Sequence, residues 1–146
     1  MSIHLYKAEK KDVEIIAELL INFKDEDLQD MNYPEVDQNK LKNFINGMIQ
    51  KGTIILLKDL DLDQVIGCTM FYKSEHWFSQ KECINIHTIY VKKSFRNFKL
   101  VSALVDSIRK VGKDLPMYLS VTSGLNIDPV FKKLGFESLG SNWRLN

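Results

Sequence analysis

From Leu100 onward, the apolar positions Leu100, Val101, Leu104, Val105, Ile108 and Val111 recur every three or four residues, with Asp106, Arg109 and Lys110 on the opposite side. That spacing predicts an amphipathic helix ending at Gly112. Near the amino terminus, residues 3 to 7 alternate as a strand, and Val13, Ile16, Ala17, Leu20 and Phe23 form a second helical stripe behind the cap-competent Asp12. Residues 24 to 37 break the pattern, with six carboxylates against one lysine and the group Asn32, Tyr33 and Pro34, so an irregular acidic connection is expected. A further helix from Gln38 to Met48 closes near Gly52.

The stretches "GTIILLKDLDLDQVIGCTMFYKS" and "ECINIHTIYV" contain three runs of β-branched and aromatic residues divided by polar turns, the mark of a meander. After the long helix, "PMYLSVT" reads as a strand. "NIDPVFKKLGF" reads as a short helix with Asp128 as cap, Pro129 in the first turn and Gly135 as terminator. Two short strands, near 136–139 and 142–145, complete the order β-α-α-β-β-β-α-β-α-β-β. This is a mixed α/β (α+β) layer arrangement.

Composition narrows the picture. A chain of 146 residues, 45% of them apolar, suits one domain, residues 1–146, with a real core. The formal charge of +1 gives no reason to expect nucleic acid. The longest aliphatic run, Ile54 to Leu57, is far short of a membrane span. The amino terminus carries no apolar signal core, so a cytoplasmic location is the expectation. Cys68 and Cys83 have no metal-type spacing and read as packed, reduced thiols.

The element order, with "IHTIYVKKSFRN" before the long helix and "NIDPVFKKLGF" near the end, resembles the GNAT superfamily of acyl-coenzyme A dependent N-acyltransferases. The likeness covers essentially the whole chain. It implies a mostly antiparallel sheet flanked by helices, acetyl-coenzyme A as acyl donor, an amine acceptor and a possible homodimer. On this likeness Ile89, Tyr90 and Val91 end the fourth strand, Arg96 opens the coenzyme turn, and Asn97, Phe98, Lys99, Leu100, Val101 and Ser102 carry the chain into the helix. Asn126 and Phe131 stand at positions of the family's second segment, which closes with Leu134-Gly135-Phe136.

Departures from the family pattern are specific. Its turn glycines are replaced by Asn97, Lys99 and Val101. Such glycines let backbone amides approach phosphate oxygens without an intervening Cβ. If Asn97 caps the helix instead, its side chain takes an amide that a phosphate would use. The surroundings favour an anion, since residues 92 to 133 hold nine basic side chains against three acidic ones. Arg109, Lys110 and Lys113 read as a solvated helix face; Lys92, Lys93, Arg96 and Lys99 read equally as solvated charge or as phosphate partners.

Acyl transfer to an amine needs a base for the nucleophile, an oxyanion stabiliser and a proton for the leaving thiolate. His87 falls near the family's strand-four base and titrates in the right range. The oxyanion contact falls to a backbone amide near Tyr90 or Val91. The family's proton donor, a tyrosine four residues before the glycine of Leu-Gly-Phe, is replaced by Phe131. Water, Tyr118 and Tyr90 are the alternatives. The acidic 24–37 segment reads either as an attractor for a cationic amine or as an ordinary solvated loop. Trp77 and Phe78 in "SEHWFSQKE" read as an acceptor wall, a partner contact or a small satellite core. Two functional readings follow: an N-acetyltransferase, or an inactive domain of the same fold that has lost the coenzyme site.

Overall fold

The computed structural model describes residues 1–121, 123 and 127–146. Strands β1 (Ile3–Lys7), β2 (Thr53–Asp59), β3 (Gln64–Glu75), β4 (Glu82–Val91) and β5 (Met117–Leu119) form one sheet in chain order. The first three pairings are antiparallel and the last, β4 with β5, is parallel. Helices α1 (Val13–Asp27) and α2 (Gln38–Lys51) precede β2, α3 (Phe98–Gly112) joins β4 to β5, and α4 (Asp128–Lys133) follows.

The side chains explain the layering. On one sheet face Ile16, Ala17 and Leu19 of α1 and Ile45 and Met48 of α2 pack with Ile54, Leu56, Cys68, Met70 and Tyr90. On the other, Leu100 and Leu104 of α3 meet Leu57, Ile66 and Val91, and Ile108 meets Phe71, Ile84 and Ile86. Leu104 and Ile108 are fully buried. Each such side chain stabilises the fold by about 1.5–3 kcal/mol relative to exposure.

Several details differ from the sequence expectations. Neither Asp12 nor Asp128 caps its helix with its side chain, and Asp128 is already the first residue of α4. The acidic run does not begin outside the helix: α1 continues through Asp25, Glu26 and Asp27. Gly112 is the last residue of α3 rather than its terminator, because it lies against β4, where an added Cβ would stand 2.9 Å from Ile84 Cγ1; Lys113 takes the positive φ of 52° instead. Val111, expected on the buried stripe, is exposed. Residues 136–139 and 142–145 form no strand. β5 is only three residues long and offers little edge to extend, Gly140 interrupts the tail at φ 156°, and Leu139, Trp143 and Leu145 stay exposed. The tail is tied down by single contacts, Asn142 Nδ2 to the Val121 carbonyl and Arg144 Nη1 to the Met31 carbonyl. Both cysteines are buried free thiols, and burial pushes Cys68 up to about 12.

Candidate active site

The sheet opens at one place. β4 and β5 pair from Ile84–Met117 to Ile86–Leu119, so, among the described residues, positions 87 to 91 of β4 have no strand beyond them on that side. The opening coincides with an irregularity on the other side of β4. Met70 pairs with Thr88 and Phe71 with Ile86, leaving His87 as the extra residue of a β-bulge. The bulge turns His87 and Thr88 to the same face, where His87 Nδ1 lies 2.7 Å from Thr88 Oγ1. Phe44 of α2 packs on the imidazole with ring centroids 4.9 Å apart. His87 is exposed as a residue, but this covering of its ring lowers its pKa through desolvation.

Beyond Val91 the chain makes one tight turn, Lys93–Phe95, and enters α3 at Asn97. Asn97 is the helix cap, its Oδ1 accepting from the Leu100 amide at 2.9 Å. The amides of Phe98 and Lys99 come earlier in the helix than any carbonyl that could receive them. Around this opening Lys92, Lys93 and Lys99 make no ion pair among the described residues. Lys133 of α4 places its ammonium 4.4 Å from the centre of the Phe98 ring. The helix start therefore combines two unused main-chain donors with four cations, an environment suited to a phosphate group.

Arg96 has another engagement. Its Nη2 donates to both carboxylate oxygens of Asp27, at 2.9 and 3.2 Å, and its Nε donates to the Val91 carbonyl at 3.1 Å. Its guanidinium also stands 6.0 Å from the centre of the Tyr90 ring. Glu26, one residue earlier on α1, accepts from the Lys93 amide at 3.0 Å and from the Tyr90 hydroxyl. Burial and the Glu26 hydrogen bond raise the Tyr90 pKa, so this hydroxyl is a poor proton donor to a thiolate. Sequence reasoning placed Glu26 and Asp27 in an irregular acidic connection, read either as an attractor for a cationic amine or as a solvated loop. Only their partners, 64 to 69 residues later, reveal their role.

The remaining candidates fall around this centre. Ile89 packs into the α3 side of the core; Leu100 is buried there, with Val101 packed against it. Ser102 is half-buried on α3. Phe131 meets Phe136 edge-on at 5.4 Å, closing α4 on itself. Tyr118, paired with Asn85 across β4 and β5, contacts His76 edge-on at 5.4 Å rather than His87. Asn126 lies outside the described residues. Arg109 serves structure, donating to the Leu134 carbonyl at 2.7 Å. Asp37 caps α2 by accepting from the Lys40 amide, and Trp77 and Phe78 stack edge-on at an exposed hairpin tip.

The acetyltransferase (GNAT) family profile matches residues 14–136, which take in α1 from its second residue, strands β2 to β5, the opening beside β4 and α4. The chain belongs to the GNAT family. Solved structures agree on the fold. A possible acetyltransferase from Clostridium difficile 630 is 18% identical with a TM-score of 0.77, covering 100% of this chain and 97% of its own. A predicted acetyltransferase from Clostridium acetobutylicum, solved with acetyl-CoA, is 18% identical with a TM-score of 0.76, covering 99% and 96%. An aminoglycoside acetyltransferase from an uncultured soil metagenomic sample, solved with sisomicin, is 12% identical with a TM-score of 0.72, covering 99% and 95%. No curated protein matches the sequence. As a GNAT protein, the chain carries a fold for acetyl transfer, and no helix among its described residues is long and apolar enough to cross a membrane.

Proposed function

We propose that this GNAT protein transfers an acetyl group from acetyl-coenzyme A to a small-molecule or protein amine. The observation that carries the proposal is the parting of β4 from β5 beside a helix start with free amides and unpaired lysines. The amide-rich pantetheine arm of the coenzyme suits the vacant edge of β4, where its amides would replace the missing strand. The diphosphate then falls toward Phe98, Lys99 and the lysines around them.

Chemistry follows from that placement. The amine nitrogen attacks the thioester carbonyl carbon, a main-chain amide near Tyr90 or Val91 stabilises the oxyanion, and the carbon–sulfur bond breaks. His87, neutral at physiological pH because its pKa is lowered, takes the proton that the amine loses. With phenylalanine at 131 and Tyr90 bonded to Glu26, water supplies the proton to the departing thiolate. The acceptor approaches from the α1–α2 side, where Asp25, Asp30 and Glu35 leave negative charge for a cationic amine. The aminoglycoside acetyltransferases of the same fold make polyamines a reasonable first panel.

A second reading has its own support. The Asn97 cap occupies the Leu100 amide, as expected of a GNAT domain that has given up the coenzyme and binds another partner. Thermal denaturation with acetyl-coenzyme A separates the two, because a ligand at one hundred times its Kd stabilises the folded state by about 2.7 kcal/mol. A melting temperature several degrees higher, with thiol release on adding an amine, supports the enzyme. An unchanged melting temperature at millimolar coenzyme refutes it.

A further inference from the structure

Two features at the end of α1 are electrostatically unfavourable on their own. Glu26 and Asp27 put negative charge at a helix C-terminus, against the helix dipole. The Asp27 side chain is also buried, only 4% exposed, so its pair with the part-exposed Arg96 carries a desolvation cost that offsets its Coulomb attraction. Such a pair is weak evidence for a contribution to stability. Both acids nevertheless reach the same short turn, Glu26 at its first residue through the Lys93 amide and Asp27 at the residue that follows it through Arg96. Between these anchors the turn holds itself by two local bonds, Phe95 N–H to the Lys92 carbonyl and Arg96 N–H to the Lys93 carbonyl.

We propose that Glu26 and Asp27 are positioning residues for the coenzyme. Acting through Lys93 and Arg96, they fix where α3 begins relative to the open edge of β4, and hence where the Phe98 and Lys99 amides point. This inference rests on the proposed acetyl-coenzyme A site. It gives α1 the work of holding the turn before the ligand arrives. Preorganisation of this kind acts on binding of the donor and leaves the chemical step alone.

The test uses the full chain with acetyl-coenzyme A, followed by calorimetric titration and steady-state thiol release. Replacing both members of the buried pair, Asp27→Leu with Arg96→Met, removes the anchor without leaving an unpaired buried charge, which is usually tolerated by the fold. The expected result is a folded protein whose Kd and KM for acetyl-coenzyme A rise about tenfold, the equivalent of one charge-assisted contact, with kcat at saturation within threefold of wild type. Glu26→Gln, which keeps the size and one acceptor oxygen, is expected to raise the same KM about threefold. It carries the decision if the double variant does not fold. Wild-type binding with unchanged KM in folded variants overturns the positioning role alone. Failure of the wild type itself to bind overturns the enzyme reading and this inference with it.

Discussion

Replacing Asn97 by two residues that differ only in what they do at the helix start gives opposed expectations for the coenzyme. Asn97 has φ −151° and ψ 165°, ordinary extended backbone, so glycine is not required there for geometry. Its Oδ1 caps the Leu100 amide at 2.9 Å. Asn97→Gly removes that cap at a cost of a few tenths of a kcal/mol, about 1–2 °C in melting temperature. It frees a third consecutive amide for a phosphate oxygen. A hydrogen bond to a charged acceptor contributes about 1.5–3 kcal/mol, so even the low end tightens acetyl-coenzyme A about tenfold. Asn97→Asp keeps the cap and adds a negative charge beside the diphosphate, so it should weaken binding about as much while leaving stability nearly unchanged. Isothermal calorimetry of the three proteins at one fixed ionic strength reads both effects. Equal affinities across the series, with intact melting curves, would refute competition between Asn97 and phosphate.

Other expectations concern His87, the sheet and the hairpin tip. His87→Ala should lower kcat about 10²–10⁴-fold with little change in coenzyme affinity, measured by initial rates with saturating coenzyme. The His87 pKa is lowered in the folded state, so the unfolded chain binds the proton first as pH falls below about 6.5. Stability should therefore decline below that pH, less so in His87→Ala. At Gly67 an added Cβ would stand 2.7 Å from the Tyr90 carbonyl oxygen and 3.3 Å from Val91 Cα. Gly67→Ala should destabilise by about 1–3 kcal/mol, visible as a melting temperature several degrees lower. Trp77 is 95% exposed, so Trp77→Ser should leave urea unfolding within about 0.5 kcal/mol of wild type.

What was legible in the sequence follows from the range of the forces involved. β1 to β4 and α3 are marked by local periodicity, because one face of each element must be buried whatever the partner. The Asn97 cap was legible for the same reason, its partner being three residues away. The end of α1 was not. Three consecutive acids at a helix C-terminus oppose the dipole, and the bonds that offset this come from Tyr90, Lys93 and Arg96, which no local pattern connects to residue 26 or 27. The same applies to Gly112, whose terminator-like position is explained by the approach of Ile84 from β4. The two expected closing strands show the converse. Strands were expected at 136–139 and 142–145, but a strand needs an edge, and β5 gives only three residues. At the opening, the bulge that leaves His87 unpaired depends on the register of β3 against β4, a property of two strands together.

The most direct measurement is an amide-resolved NMR titration of the isotopically labelled protein with acetyl-coenzyme A. The largest shifts are expected at Phe98, Lys99 and Leu100, as the diphosphate engages the first two amides and draws the third from Asn97, with smaller shifts along residues 87 to 91. Spectra unchanged at millimolar coenzyme, with the Leu100 amide still held by Asn97, would contradict the proposed coenzyme site.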